Sequence, residues 1–276
     1  MILPSVNATR TDIPASLPLN SFKRALSQGQ PMIGLWSSLC SNLSVEIMAG
    51  AGFDWLLLDM EHAPNELPLL VSQLQAMTGG TAAPVVRPAW NDVVLIKRIL
   101  DAGAQNLLVP FVQTPEEARL AVMATRYPPD GLRGVATTHR ANRFGRTTDY
   151  FQRAGDEMCV LVQVETRRAL ENLEAIAAVE GVDGLFIGPS DLSASLGFLG
   201  SPRHPDVRAV IEDAGKRIRK AGKAAGILAP VEDDAWHWLT QGFTVVAVGA
   251  DAGLLARHTE DLAARARNMV SQLPSG

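Results

Sequence analysis

Two short apolar segments, CVLVQVE at residues 159–165 and GLFIGPSD at residues 184–191, decide the fold of this chain. Each is a run of large apolar residues followed at once by polar residues, glycine or proline, which is typical of a buried strand. Six similar runs recur, with helical spacing of apolar residues between them. They are MIGLWSS near 32, WLLLDM near 55, PVVRP near 84, NLLVPFV near 106, AAGILA near 224 and TVVAVGAD near 244. Eight strand–helix units predict a closed barrel or a doubly wound sheet.

The composition of the strands favours the barrel. Continuously apolar runs fit parallel strands that are buried on both faces. No GxGxxG motif opens a helix after the first strand, as a dinucleotide-binding sheet would require. We therefore predict an α/β fold, a single (β/α)8 TIM barrel with parallel strands. An N-terminal extension is expected over residues 1–20 and the barrel over residues 21–276.

Charge and cysteine usage exclude several functional classes. The formal net charge is -4 and no long block of Lys or Arg occurs, so neither nucleic acid nor an anionic membrane is an expected partner. Cys40 and Cys159 lie far apart without metal-ligand spacing, which indicates reduced thiols and a cytoplasmic setting. Because the N-terminal residues lack a charged start followed by an apolar core, and about eighteen apolar residues never run together, we expect neither export nor membrane spanning.

One interval between strands is too long for a single helix. The surplus between the fourth and fifth strands is RYPPDGLRGVATTHRANRFGRTTDYF, residues 126–151. Long segments in compact domains are usually functional or disordered. Because this one carries several arginines, among them Arg140 and Arg143, we expect it to face an anionic substrate.

Two carboxylates follow adjacent predicted strands. Barrel active sites form at the carboxyl ends of the strands. Glu165 ends the fifth strand and Asp191 follows the sixth, so both can converge on one hard cation such as Mg²⁺, Mn²⁺ or Co²⁺. The alternative is that both acids only stabilise helix N-termini.

Other strand-end residues suit enolate chemistry. Arg87 ends an apolar strand and needs an oxyanion or an internal acid, Asp59 or Glu61, as its partner. His62 follows the second strand and can move a proton near neutral pH. The segment that begins at Ser190 offers backbone N–H groups to a carboxylate. A 2-oxo acid could therefore be held beside a metal while an enolate forms, and no strand-end lysine requires a Schiff base or an organic cofactor.

Several segments, in order and over nearly the whole chain, resemble the pyruvate-dependent class II aldolases of the HpcH/HpaI aldolase/citrate lyase family. The most specific are LDMEHAPN, PVVRPAWND, TRYPPDGLRGV, HRANRFG and GVDGLFIGPSDLS. The resemblance implies that His62 accepts and returns the proton, and that Arg87 stabilises the transition state. It also implies that Asp101 raises the basicity of His62. From the residues alone, Asp101 is better interpreted as a solvated acid at the end of a helix.

The same resemblance assigns ligands and an assembly. It implies that Glu165 and Asp191 bind the metal, and that Gln163, Ser190 and the backbone of Asp191 contact the 2-oxo acid. Members of the family are typically hexamers with exchanged last helices, so we expect a homo-oligomer, a trimer or a hexamer. Met60 stands where close relatives often have glycine.

The resemblance leaves two substrates open. HRANRFG and GPSDL are similar to 2-dehydro-3-deoxyglucarate aldolases, and cleavage of that compound to pyruvate and tartronate semialdehyde is the main expectation. RPAWND and EMCVLVQ are similar to 4-hydroxy-2-oxoheptanedioate aldolases, which yield pyruvate and succinate semialdehyde. In either case Arg140 or Arg143 is a candidate for the far carboxylate, the alternative being a solvated loop arginine.

Two other readings compete with an aldolase. An acyl-CoA lyase of the citrate or malyl-CoA lyase type would need a basic groove for the phosphates of CoA, and only the loop arginines offer one. A catalytically inactive barrel that binds an oxo acid is the second, because fold alone does not establish catalysis. The complete set of competent side chains argues against it.

Overall fold

Eight parallel strands close into a barrel in the order in which they occur along the chain. The structure is a computed structural model and describes residues 16–274. The prediction of a single (β/α)8 barrel is confirmed, with each strand paired to the next and the last to the first. The strands are β1 (Met32–Ser37), β2 (Trp55–Asp59), β3 (Ala83–Arg87), β4 (Asn106–Val109), β5 (Cys159–Val164), β6 (Gly184–Ile187), β7 (Ala224–Leu228) and β8 (Val245–Ala250).

Helices surround the barrel because their apolar stripes cover the outward-facing residues of the strands. A short 3₁₀ turn, Met77–Gly79, precedes β3. The helices are α1 (Ser21–Ser27), α2 (Asn42–Ala49), α3 (Leu67–Ala76), α4 (Val93–Asp101), α5 (Pro115–Thr125), α6 (Tyr150–Glu157), α7 (Arg167–Glu171), α8 (Leu173–Ala177), α9 (Pro189–Ser195), α10 (Pro205–Lys220), α11 (Glu232–Thr240) and α12 (Asp251–Ser271).

The interior of the barrel is filled by large side chains. Trp55 and Phe186 are 1% exposed and meet edge to face at 6.4 Å between ring centroids. Glycines make room for them, since a Cβ at Gly34 would lie 2.1 Å from Trp55 and one at Gly226 would lie 2.3 Å from Phe186. A larger residue at either glycine would displace these rings, so the barrel is a packed core and not a channel.

Helix α1 covers the N-terminal end of the barrel. Phe22 and Leu26 join the interior cluster that contains Met32 and Trp55. Of the predicted extension over residues 1–20, residues 1–15 lie outside the described residues, and Leu17 packs beside Tyr150. The boundary between extension and barrel stays a prediction. With this end covered, the carboxyl ends of the strands are the open end.

The last helix is hardly buried by its own barrel. In α12 only Asp251 is buried, and apolar side chains such as Leu262 and Val270 are exposed. The outer faces of α2 and α11 also expose large apolar residues, Ile47 at 75% and Trp236 at 69%. Among residues 16–274 no helix is both long and apolar enough to cross a membrane.

The long segment between α5 and α6 lies at the N-terminal end of the barrel. It leads from one helix to another that enters β5, and connections from helix to strand lie at that end in a parallel barrel. Accordingly, Ala141 donates its N–H to the carbonyl of Asp101, the last residue of α4. Within one chain this segment therefore does not face the open end, where the sequence predicts the substrate.

Candidate active site

A cavity of about 340 Å³ opens at the carboxyl ends of the strands. Trp36, Phe186 and Leu228 contribute apolar surface to it. Five residues that the sequence predicts for the site line this cavity together: His62, Arg87, Gln163, Ser190 and Asp191. Residues from four different strand ends thus meet in one place, which is the arrangement that barrel enzymes use.

Glu165 is held rigidly beside the cavity. Its carboxylate accepts the N–H of Phe111 at 2.8 Å and the side-chain amide of Gln163. Phe111 has a φ of 55°, a left-handed conformation that is uncommon outside glycine and that directs its N–H to the carboxylate. A Cβ at Gly188 would lie 2.5 Å from Oε2 of Glu165, so only glycine fits there.

Negative charge is in excess around Glu165. Burial raises the pKa of Glu165 to about 7, and the nearby carboxylates of Glu61 and Asp191 raise it further. Burial likewise raises the pKa of Glu61. Glu165 is buried beside acids that repel its charge, an environment that a bound cation would relieve.

The donor set fits a hard divalent cation. The carboxylates of Glu165 and Asp191 would offer oxygen ligands, and within residues 16–274 Oε1 of Gln163 is buried without a hydrogen-bond partner. Residues 16–274 contain no cluster of three or more His, Cys, Asp or Glu arranged around one metal position. Two carboxylates with water and substrate oxygens are the usual environment of Mg²⁺, whereas zinc sites need more protein ligands.

Arg87 is fixed by two acids. It donates to both oxygens of Asp59, at 2.8 and 2.7 Å, and its Nη1 lies 2.9 Å from Glu61. Burial alone would raise the pKa of Asp59, but the Arg87 guanidinium holds it below its ordinary value. The internal ion pair that the sequence leaves open is thus present. It orients a guanidinium that still lines the cavity and lies 4.8 Å from the Trp36 ring centroid.

His62 projects from the loop after β2 into the mouth of the cavity. Its side chain is 66% exposed, and its Nε2 lies 3.9 Å from Oε1 of Glu61. An imidazole in this position can exchange protons with both solvent and a bound ligand. The exposed face of the ring has room for a further partner.

Asp101 is far from His62 within one chain. It ends α4, so it lies at the N-terminal end of the barrel, and it accepts a hydrogen bond from Arg133 at 2.8 Å. Arg133 is fully buried and lies over the ring of Tyr127, 4.6 Å from its centroid. The structure does not bring Asp101 and His62 together in a single chain.

The loop arginines also lie at the N-terminal end. Arg140 and Arg143 line a cavity of about 470 Å³ together with Arg146 and residues that precede β4 and β5. Nη1 of Arg140 donates to the carbonyl of Ala102 at 2.7 Å. Burial lowers the pKa of Arg140. These arginines are not part of the cavity that contains Arg87.

Sequence reasoning misses two of the residues that shape the site. Phe111 acts through its backbone N–H, which no side-chain pattern reveals. Gly188 acts through its lack of a Cβ, and the only signal is a glycine directly after an apolar strand. Met60 packs against the core outside the barrel and does not line the cavity with Arg87.

Known proteins match this chain over most of its length. The model of the family described as HpcH/HpaI aldolase/citrate lyase matches residues 32–258. A protein of Klebsiella pneumoniae subsp. pneumoniae named 4-hydroxy-2-oxo-heptane-1,7-dioate aldolase is 60% identical over 247 residues, which are 89% of this chain and 93% of that protein. An Escherichia coli protein of the same name is 58% identical, over 89% of this chain and 94% of its own length.

A solved structure from the same family also matches this chain. The HpcH/HpaI aldolase/citrate lyase family protein from Burkholderia cenocepacia J2315 superposes with a TM-score of 0.87 at 44% identity, over 90% of this chain and 99% of that chain. Fold and sequence therefore agree on one family, as the residue motifs predict.

Proposed function

This chain belongs to the HpcH/HpaI aldolase/citrate lyase family, and we propose that it cleaves 4-hydroxy-2-oxoheptanedioate to pyruvate and succinate semialdehyde. It is a lyase of the aldolase type, as its close relatives are. Their name matches the alternative that the sequence leaves open better than the main expectation, 2-dehydro-3-deoxyglucarate. The glucarate compound becomes the competing substrate in the test below.

One observation carries the proposal. The cavity at the open end of the barrel gathers the imidazole of His62, the fixed guanidinium of Arg87 and the carboxylate of Asp191, and Glu165 lies beside it, bonded to Gln163. Opening a carbon–carbon bond beside a keto group needs a base for the hydroxyl proton and positive charge for the enolate. All of these groups are present, which also argues against an inactive barrel.

We assign the steps to residues of this chain as follows. Ser190 and the Asp191 backbone bind the carboxylate of the 2-oxo acid, and Gln163 orients it. His62 takes the proton of the 4-hydroxyl group as the C3–C4 bond breaks, and the electron pair of that bond moves into the enolate. Arg87, held in place by Asp59 and Glu61, faces the enolate oxygen. His62 then returns the proton to C3.

A divalent metal is part of the proposal. Glu165 and Asp191 would hold Mg²⁺, Mn²⁺ or Co²⁺, and the cation supplies positive charge beside the keto oxygen. The burial of Glu165 and its repulsion by the nearby carboxylates of Glu61 and Asp191 support this assignment. No organic cofactor is needed for the chemistry.

We also propose that the enzyme works as a homo-oligomer. The exposed apolar side chains of α12, and those of Ile47 and Trp236 on the barrel surface, suit exchange of α12 between neighbouring copies. Asp101 can orient His62 only across such an interface, because the two residues lie at opposite ends of one barrel. The same holds for Arg140 and Arg143 as contacts of the aldehyde.

The proposal is tested by pyruvate release. Purified enzyme, stripped with EDTA and reloaded with Mg²⁺ or Mn²⁺, is given 4-hydroxy-2-oxoheptanedioate or 2-dehydro-3-deoxyglucarate, with lactate dehydrogenase as the reporter. We expect metal-restored release, faster from the heptanedioate. Faster release from the glucarate would reverse the substrate assignment, and release that EDTA does not affect would exclude the metal.

A further inference from the structure

A second, smaller cavity lies beside the active-site cavity, between α10 and α11. Its volume is about 160 Å³, and it shares Pro189, Ser190 and Leu228 with the active-site cavity. Apolar residues form most of its wall, including Ile211, Ile227 and Trp238. It is below the usual range for whole drug-sized ligands, about 300–1,000 Å³, so it suits one end of a small molecule.

The rim of this side pocket carries an unbalanced positive charge. Nη1 of Arg208 donates to one oxygen of Asp234 at 2.6 Å, and Nε of Arg203 lies 2.9 Å from the other oxygen. Two guanidinium groups thus share a single carboxylate. The Arg208 side chain is 26% exposed, and its guanidinium carbon lies 5.2 Å from the Trp238 ring centroid.

This construction selects for an anion. Asp234 and Trp238 fix Arg208 at the pocket, and Asp234 neutralises only one of the two arginines. Within residues 16–274, Arg208 donates to a protein acceptor through Nη1 alone, so its other N–H groups are available to a ligand. A short aliphatic chain that ends in a carboxylate would fill the apolar wall and pair with these donors.

We propose that the side pocket binds the far carboxylate of the acid-bearing aldehyde, and that Arg208 makes this enzyme prefer such aldehydes. This rests on the proposed aldolase function. The position supports it, because Arg203 and Arg208 lie at the same end of the barrel as Arg87. Arg140 and Arg143, in contrast, lie at the other end of their own barrel and could act only in a neighbouring copy.

The test compares two aldehydes of equal chain length in the condensation with pyruvate. Succinate semialdehyde carries the carboxylate, and butanal is its uncharged counterpart. We expect Arg208→Gln to raise the KM for succinate semialdehyde about tenfold or more, the size of a lost charge-assisted hydrogen bond, with the KM for butanal unchanged. Arg208→Lys should recover part of the loss.

Two further variants sharpen the test. Asp234→Asn removes the competing negative charge but keeps a side-chain oxygen that can position Arg208, and it should lower the KM for succinate semialdehyde. Arg217→Gln is the matched control, because Arg217 lies on the same helix but pairs with Glu174 at 2.6 Å on the protein surface. Arg217→Gln should leave the KM for both aldehydes unchanged.

The experiment distinguishes an error in the pocket assignment from an error in the aldolase assignment. If Arg208→Gln raises both KM values equally, or neither, the side pocket does not read the carboxylate, although the aldolase assignment stands. If the wild-type enzyme condenses neither aldehyde with pyruvate, the proposed function itself is wrong. Thermal unfolding of each variant separates a loss of fold from a loss of recognition.

Discussion

Strand β5 separates two buried glutamates that differ in their charged neighbours and in the direction of their pKa shifts. Glu157 precedes the strand and Glu165 follows it, and they are 4% and 2% exposed. Glu157 has arginines for neighbours, whereas Glu165 has other carboxylates. Burial alone raises the pKa of Glu157, but the N–H of Asn20 and the nearby arginines bring it below its ordinary value. The pKa of Glu165 is instead raised to about 7.

The difference separates an acid that fastens the fold from one that fits the proposed metal site. Glu157 ties the N-terminal residues to the barrel, since it accepts the N–H of Asn20 at 2.6 Å and pairs with Arg24 and Arg153 at 3.2 Å. Every charge there is compensated within the chain. The charged neighbours of Glu165 are acids, and the nearby guanidinium of Arg87 is already paired with Asp59 and Glu61. Such unfavourable sites persist where a ligand completes them.

The largest expected effect is at Glu165. Glu165→Gln should lower aldol cleavage at least about a thousandfold, because the metal and its charge on the enolate are lost together. Titration calorimetry with Mn²⁺ should show weakened binding. Glu157→Gln is the matched control and should keep metal affinity. If the two variants bound Mn²⁺ equally, the comparison between the two acids would fail.

Arg87 should have the next largest effect. Removing the side chain would leave the buried carboxylate of Asp59 without its ion pair, which costs about 3–5 kcal/mol of stability, so Arg87→Lys is the more informative change. A lysine keeps the charge but cannot bind Asp59 with two parallel hydrogen bonds. We expect kcat to fall about a hundredfold with Mn²⁺ affinity retained. An unchanged kcat would remove Arg87 from the mechanism.

Asp101 tests whether the two ends of the barrel meet between copies. Asp101→Asn should lower kcat about 10- to 100-fold, as expected when the group that orients a catalytic imidazole is lost. Mixing unfolded Asp101→Asn and His62→Ala chains and refolding them together should restore activity, because some interfaces then pair an intact Asp101 with an intact His62. If neither variant regains activity in the mixture, Asp101 acts only within its own chain.

The fold could be predicted from the sequence because barrel strands are buried on both faces and therefore appear as continuous apolar runs. The positions of the strands in turn predicted which polar residues lie at their carboxyl ends, and three of these, Arg87, Gln163 and Asp191, line the cavity. The expectation that residues 126–151 face the substrate rested on the length and charge of the segment, whereas its position after α5 and before β5 places it at the N-terminal end of the barrel. Asp101 was linked to His62 by the resemblance alone, whereas the last residue of a helix that leads into the next strand lies at the N-terminal end of the barrel.

The side pocket marks another limit of the sequence. Arg203, Arg208 and Asp234 come from two helices and the loop before them, and no local spacing links the arginines to that carboxylate. Only the packing of α10 against α11 brings them together. Contacts between elements that are distant in sequence are the part of a site that a pattern cannot show.

The smallest expected effect is on stability, and it concerns Glu157. Replacing it with glutamine removes charge-assisted hydrogen bonds from Arg24 and Arg153, so we expect a loss of about 1–3 kcal/mol of stability with little change in kcat.

The lowered pKa of Glu157 sets the pH dependence of this stabilisation. An acid whose pKa is lower in the folded state stabilises the fold above its ordinary pKa and loses that contribution as the pH falls. Urea unfolding should therefore separate wild type from Glu157→Gln at pH 7, and the two curves should converge below pH about 4. A difference that persists undiminished in acid would mean that glutamine disturbs packing, and that the charge of Glu157 is not what fastens the N-terminal residues.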